Sequence, residues 1–515
     1  MSRVSKSVKN AKVGAFFFLI SIFAQFFSRK IFLDFLGDEF IGLTSTLRSI
    51  LGFLNLAELG IGTAIGYSLY KPIYNNNQLE INKIISLLGV LYKRIGIFIF
   101  GAGAIVSIFL PYFFGNTDFS LSLIYFVFFS FLMSSLLSYF FNYHMTLLEA
   151  DQKGYVVQVY FQSINVVRLL IQALLAYYLQ SYYAWVIMEL LFAITLSVIL
   201  RIKIKQHYPW LIIASKDGSN LIKEYPQIIK KTKQLFIHKM GSFVKDGTDN
   251  ILIYALVNIQ SVAFFGNYQL IFVNLQSLIK VIFAGTGAGI GNLVAENDKK
   301  NIDKVFWEMM ALQFFIAGFF SLATYYLITP FIVLWIGEDY VLQESILLLM
   351  IGVLFINLIK SPVQHFMNAY GLFSDTWAPF FDIISNLILS LILGKLWGIF
   401  GVLSGTYFSL VGTYMIWKPY FLYSKGFNTS IWNYWKRFVP LLFIFFITAT
   451  IVNFFHNNFL TQSNFTLLTW GLNAIKLSII IIFVYGLLMY ISSKGFRDFT
   501  LRIIKLIKNK VSRNS

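Results

Sequence analysis

Stretches of roughly 20 apolar residues, the length a helix needs to cross about 30 Å of hydrocarbon, recur along the whole chain and leave little room for anything else. Six fall at Val13 to Leu36, Ile41 to Tyr70, Ile84 to Phe114, Phe119 to Leu148, Tyr155 to Tyr178 and Tyr182 to Leu200. Six more follow a polar segment, at Leu235 to Val257, Val262 to Val294, Val305 to Trp335, Ile346 to Tyr370, Trp377 to Leu396 and Ile399 to Trp417; Phe438 to Phe455 and Leu467 to Ile491 complete the series. The expectation is an all-α integral membrane protein with about 14 transmembrane helices. Of 515 residues, 57% are hydrophobic and 12% charged, too few charges to cover that apolar surface in water. Disorder, collagen, coiled coil and, with no cysteine, a disulfide scaffold are excluded.

The formal charge of +18 is first a statement about orientation. Arg3, Lys6, Lys9 and Lys12 precede the first span, Lys494, Arg497, Arg502, Lys505, Lys508, Lys510 and Arg513 follow the last, and the segment between the two groups of six carries eight more lysines and arginines. The opposite loops offer Asp38, Glu39, Asp118, Glu338, Asp339 and Glu344, with Lys395 as the basic exception. The bias places both termini in the cytoplasm, and no nucleic-acid partner is expected. The first span has a basic head like a signal peptide, but no small-residue cleavage site follows and Arg29, Lys30 and Asp34 interrupt its far end, so it is expected to be retained.

The chain repeats itself. Gly60-Ile61-Gly62-Thr63-Ala64-Ile65-Gly66 matches Gly285-Thr286-Gly287-Ala288-Gly289-Ile290-Gly291; Phe40-Ile41-Gly42 matches Phe264-Phe265-Gly266; and Glu80-Ile81-Asn82-Lys83-Ile84 matches Asn301-Ile302-Asp303-Lys304-Val305. Six spans per unit is an even number, so the two units are expected to be parallel, related by an axis along the membrane normal. The expected organisation is an N-terminal six-helix bundle over 1–200, a basic cytoplasmic linker over 201–234, a second six-helix bundle over 235–418, and two additional transmembrane helices with a basic tail over 419–515. Inside an apolar stretch the glycines read as close helix contact or bending, since a nucleotide fingerprint needs a preceding strand and an aqueous helix start.

An ionised side chain at the bilayer centre costs at least about 2.5 kcal/mol, so each one inside a span needs a partner, an aqueous cavity or a route to the surface. Several gather here: Gln25, Arg29, Lys30 and Asp34 in the first span, Arg48, Asn55 and Glu58 in the second, and His238, Ser242, Lys245, Asp246 and Asp249 in the seventh. Gln158, Gln162, Asn165, Arg168 and Gln172 form one helical stripe in the fifth span, Asn357, Lys360, Ser361, Gln364 and Asn368 another in the tenth, and the eighth adds Asn267, Asn274, Gln276 and Lys280. A shared, cationic, hydrogen-bonding cavity follows. Lys30 with Asp34 and Lys245 with Asp249 read equally as i,i+4 pairs that neutralise each other, whereas Arg48, Lys280 and Lys360 have no acid at that spacing and favour the cavity. No Walker loop and no H-E-x-x-H pair is present, so neither ATP hydrolysis nor a zinc site is expected; no metal, no cofactor and no catalytic residue is assigned.

The segment Phe35-Leu36-Gly37-Asp38-Glu39-Phe40-Ile41-Gly42, followed by Leu54-Asn55-Leu56-Ala57-Glu58-Leu59-Gly60-Ile61-Gly62-Thr63-Ala64, resembles the first conserved block of bacterial polysaccharide transporters. These are the O-antigen flippase-like members of the multidrug/oligosaccharidyl-lipid/polysaccharide (MOP) exporter superfamily. The resemblance extends over essentially the whole chain. It implies a non-enzymatic flippase of the bacterial plasma membrane that carries undecaprenyl-pyrophosphate-linked oligosaccharide units, for O-antigen, capsule or exopolysaccharide, outward by alternating access. Polysaccharide polymerase and chain-length proteins are the implied partners. A pyrophosphate requires basic groups, for which Arg29, Arg48, Lys245, Lys280 and Lys360 are the candidates; Gln158, Gln162, Asn165, Asn274, Asn357 and Gln364 suit the glycan. Coupling to H⁺ or Na⁺ points to Asp34, Glu58, Asp246, Asp249 or Asp382. The last two spans, with Lys476, are expected to lie outside the core and to help hold the lipid tail by analogy. Within the superfamily, a cation-coupled multidrug exporter and a lipid II flippase are the alternatives; a membrane glycan polymerase or ligase would need larger outer loops than this chain has.

Overall fold

A computed structural model describes residues 3–514 apart from 59–60, 152, 213–217, 284–285, 373, 376 and 460–465; side chains are further described except at 3–13, 15, 56–57, 63, 218–220, 231, 233–246, 281–288, 459 and 506–514. The described residues are almost wholly helical. In order they form α1 (Arg3–Leu54), a 3₁₀ turn (Asn55–Glu58), α2 (Ile61–Tyr74), α3 (Gln78–Phe113), α4 (Leu121–Phe141), α5 (Met145–Ala150), α6 (Gly154–Leu179), α7 (Tyr182–His207), α8 (Gly218–Glu224) and α9 (Pro226–Leu256). There follow α10 (Ile259–Phe283), α11 (Thr286–Ala295), α12 (Lys299–Ile336), α13 (Glu344–Ile359), α14 (Ser361–Ala369), α15 (Trp377–Leu410), α16 (Lys418–Phe421), α17 (Trp432–Phe459), α18 (Leu467–Ser492) and α19 (Lys494–Asn514). π-helical turns at Val411–Trp417 and Leu422–Gly426 flank α16 and continue α15 without a loop.

Eleven of the described helices are long and apolar enough to cross a membrane. Two of them run from one expected span into the next: α1 holds the first and the start of the second, α15 the eleventh and most of the twelfth. Within α1 the break is Gly37, at φ 81° and ψ 162°, a conformation that a side chain would resist. Within α15 it is Trp397-Gly398, where Gly398 has φ 57°. The expected seventh span is α9, whose polar face leaves it less apolar than the rest. This is a multi-pass membrane protein: Phe23, Ile108, Phe443 and Phe483 are exposed on membrane-length helices, where lipid in place of water makes that exposure favourable.

The repeat seen in the sequence is a repeat of local structure. The turn from α2 to α3 passes through Asn76 at φ 51°, and the turn from α11 to α12 through Asn297 at φ 56°, a left-handed position that Asn tolerates better than most residues. Each turn then caps the next long helix: the Asn77 side chain accepts from the Glu80 N–H, and that of Asp298 from the N–H groups of Lys300 and Asn301. The fourth span of each half breaks near its end, giving α4 with α5 and α13 with α14, and the next two spans meet at Gln180 (φ 45°) in one half and Gly398 in the other.

Packing divides the chain into two compact units, residues 1–263 and 264–515. In the first, α1 packs along α6, with Ser21 donating to Gln162 Oε1 (2.9 Å) and Ser28 to the Leu169 carbonyl (3.2 Å). Helix α9 packs on α1 and α2 in this unit, Asn250 donating to Ser49 Oγ at 3.1 Å. The basic linker docks on the same unit: Tyr225 donates to Glu80 (2.8 Å), Lys83 pairs with Glu224 (2.6 Å), and the Ile212 N–H bonds Asn82 (3.0 Å). Tyr208 donates to Asp151 at 2.8 Å; burial first, then that hydrogen bond, raises its hydroxyl above the ordinary tyrosine value.

In the second unit, an aromatic core of Phe306, Phe314, Phe366, Tyr434, Phe438 and Tyr485 joins α12 to α14, α17 and α18. Tyr485 donates to the Phe314 carbonyl (3.0 Å) and Trp470 to that of Leu327 (3.0 Å), so α18 is fixed to α12 at two levels. A Cβ at Gly318 would lie 2.3 Å from the Tyr485 ring, which is why that helix pair approaches so closely.

Candidate functional site

In the first unit, three charged side chains from three membrane-length helices meet at one oxygen. The hairpin of α6 and α7, turned by left-handed Gln180 and capped by Ser181, brings Arg168 and Gln172 beside Glu189. Oε1 of Glu189 receives the Arg168 guanidinium, Gln172 Nε2 (3.3 Å) and, from α1, Arg48 (2.6 Å). Arg168 also donates to Asn165 (2.6 Å), and Gln172, fully buried, donates to the Trp185 carbonyl (3.0 Å). The cluster has two cations and one anion, hence one net positive charge inside the membrane-crossing part of the chain.

The two arginines differ in what they have left to give. Side-chain exposure is 16% for Arg168 and 13% for Glu189 but 48% for Arg48, which lies 4.7 Å over the Phe131 ring. Arg168 is therefore consumed in holding the carboxylate, while Arg48 keeps an open side from which a guanidinium can take a phosphate or carboxylate in a fork of two hydrogen bonds.

Other expensive polar groups sit where a helix stops. Asn55 and Glu58 occupy the 3₁₀ turn that interrupts the expected second span: Asn55 Oδ1 accepts from Ser135 (2.9 Å) and Tyr139 (3.1 Å), and Tyr92 donates to Glu58 (2.7 Å). In the second unit, Lys360 is at once the residue that caps the end of α13 and the residue before α14, because Pro362 has no N–H with which to continue the helix. Its ammonium donates to Asn357 (2.5 Å) and stands 4.4 Å over the Tyr414 ring. Broken helices with polar side chains at the break are a means of placing charge at membrane depth.

Of the expected headgroup residues, then, Arg48 enters the cluster in the first unit and Lys360 a second polar group in the other. Arg29 donates to the Ala263 carbonyl at 3.1 Å, and Lys280 is exposed near the end of α10. The side chains of Lys245 and Asp246 lie outside the described residues. Among the glycan candidates, Asn165 and Asn357 belong to these two groups, Gln162 is held by Ser21, Asn274 donates to its own helix at Leu270 (2.9 Å), Gln158 is exposed and Gln364 half-buried. Among the acids, Asp34 pairs with Lys30 (3.4 Å), as the i,i+4 reading expects, Asp249 is buried, and Asp382 is buried with no hydrogen bond to Oδ1 among the described residues. Glu189 was not among the expected residues, although it is the one charged residue between Tyr182 and Leu200 and the same cost argument applies to it.

No family model matches the sequence, and no curated protein matches it. Solved structures do. The lipid II flippase MurJ, in an inward closed conformation, superposes with a TM-score of 0.65 at 15% identity, covering 94% of this chain and 99% of that one. An inward-facing MATE-family multidrug resistance transporter of the MOP superfamily gives 0.57 at 12% identity over 77% of this chain and 93% of that one. A Vibrio cholerae MATE transporter gives 0.51 at 12% identity, with coverages of 82% and 99%. The fold is that of these membrane transporters.

Proposed function

We propose that this protein is a flippase that carries an undecaprenyl-pyrophosphate-linked oligosaccharide across the bacterial plasma membrane, both termini lying in the cytoplasm and the two six-helix halves alternating access to the cargo. The observation that carries the reading is Arg48: a half-exposed guanidinium on a membrane-crossing helix, oriented by Glu189 and backed by the second cation Arg168. A site of that kind suits a pyrophosphate, which is anionic and accepts several hydrogen bonds, and it is held out of the hydrocarbon by the protein. Lys360, with Asn357 and Tyr414, supplies a similar donor set in the other unit, and amide and aromatic groups of this kind also suit sugars. Arg29, Lys245 and Lys280 are kept as further headgroup ligands, and Gln158, Gln162, Asn165, Asn274 and Gln364 as glycan contacts. Coupling to H⁺ or Na⁺ is assigned to Asp34, Glu58, Asp246, Asp249 or Asp382.

Lipid II as cargo is the second reading, favoured by one observation: MurJ superposes over 94% of this chain. Both cargoes present a polyprenyl pyrophosphate, so the basic cluster serves either and the glycan distinguishes them. The test is depletion of the protein followed by leaflet-specific labelling of lipid-linked glycans in inverted vesicles. Accumulation of oligosaccharide units in the cytoplasmic leaflet, with lipid II distributed normally, supports the first reading. Accumulation of lipid II instead supports the second, and normal distribution of both removes the flippase reading.

A further inference from the structure

Away from these polar groups, a recess of about 870 Å³ opens in the second unit where the start of α12, the first turns of α17 and the corner between α18 and α19 converge. Five cations line it: Lys300, Lys304, Lys436, Arg437 and Lys494. Three carboxylates share it, and two are committed. Asp298 caps α12 through the Lys300 and Asn301 N–H groups, and Asp303 is paired with Arg437 at 2.7 Å. Both keep their charge, so with Asp498 the lining sets three anions against five cations and the recess carries a net positive charge of two.

Its inner wall is apolar. Pro440, Leu441 and Ile444, the next residues along α17 from Lys436 and Arg437, continue the recess toward the membrane-crossing part of the helix. The site therefore has a polar cationic mouth and an apolar floor, the profile of an amphiphile with a phosphate head. A second feature places the bilayer surface at this level: α19 exposes Leu501 (50%), Ile503 (39%) and Ile504 (44%) beside Arg497, Arg502 and Lys505, the pattern of a helix lying in the headgroup region.

We propose that this recess binds the headgroup of an acidic phospholipid of the surrounding bilayer, the lysines contacting its phosphate and the α17 wall its first methylenes. Basic pockets between transmembrane helices at a charged membrane face bind such lipids. The bound lipid would join α12 and α19 to α17, the first of the C-terminal pair of spans.

The experiment is native mass spectrometry of the full-length protein released from detergent after exchange into phosphatidylglycerol or phosphatidylcholine. The wild type is expected to retain phosphatidylglycerol in at least tenfold preference, and the triple variant Lys300→Gln, Lys436→Gln, Lys494→Gln to lose that preference while eluting as the same species. Lys494→Glu, a single change at the rim, is expected to reduce it as well, which keeps the test open should the triple variant fail to fold. Equal retention of the two lipids by the wild type, unchanged preference in the variants that fold, or displacement by inorganic phosphate as readily as by short-chain phosphatidylglycerol would overturn the proposal.

Discussion

The Arg48 guanidinium stands 2.6 Å from an oxygen of Glu189 that Arg168 already holds, so one carboxylate orients two cations of unequal exposure. Removing either partner has a different consequence. Arg48→Gln leaves Glu189 satisfied by Arg168 and Gln172, and should lower transport at least tenfold with little change in Tm. Glu189→Gln strands the buried Arg168 and should destabilise by about 3 kcal/mol, the range for breaking a buried ion pair. Adding Arg168→Gln to Glu189→Gln should restore much of the stability. Thermal unfolding in detergent and transport in cells together separate the two roles.

Lys360 is placed by a helix break. Lys360→Gln should therefore preserve folding, since the backbone at Pro362 is untouched, yet reduce glycan export at least tenfold. Lys280→Ala should also reduce export at near-normal protein level, with Lys280→Arg milder because the charge is kept. Surface glycan and protein abundance, measured together, check both; full export in either neutral variant removes that lysine from the proposed ligands.

Helix α19 packs on α12 through Phe496 against Phe315 and, among the described residues, through one ion pair with a buried end. Glu308 is 1% exposed, and Arg502 reaches it at 2.5 Å. Arg502→Ala removes the direct partner of that carboxylate, leaving Lys304 as the remaining nearby cation, and should cost about 1–3 kcal/mol. Glu308→Gln in the same chain should recover most of the loss. Tm and the rate of protease cleavage within the C-terminal helix report the two effects.

Much of the architecture was legible because lipid imposes its own length: the spans, the polar linker and the terminal pair all follow from apolar stretches. The internal repeat was legible too, and Asn76 with Asn297 shows that the matched segments adopt one turn. What local pattern does not carry is interhelical partnership. Arg48 has no acid three or four positions away on its own helix, so its partner on α7 is invisible to i,i+4 reasoning, and Glu189 sits alone in its span. Hydropathy averages across a few polar residues, which is why the expected spans run through the breaks at Asn55–Glu58 and at Lys360; Pro362 is the signal for the second. The fifth-span stripe was expected to face a wet interior, yet Gln162 binds Ser21 and Gln172 is buried against α7, because amides also serve as hydrogen-bonding glue between helices.

Gly42 tests the packing of the first unit. A Cβ there would lie 2.1 Å from the Ile259 carbonyl oxygen, closer than any real contact. Backbone cannot yield as a side-chain tip does, so Gly42→Ala should destabilise by about 1–3 kcal/mol, the usual penalty for overpacking. Gly101→Ala, where a Cβ meets nothing within 4 Å, is the control and should leave Tm unchanged.

The central claim is that the half-exposed guanidinium of Arg48 moves a pyrophosphate-linked glycan between leaflets. Proteoliposomes containing the purified protein and a fluorescent undecaprenyl-pyrophosphate oligosaccharide in one leaflet test it most directly, with an impermeant quencher reading arrival in the other. Wild-type protein should transfer the label, and Arg48→Gln, folded to the same Tm, should be slowed at least tenfold. Equal transfer by the variant, or none by the wild type beyond empty vesicles, contradicts it.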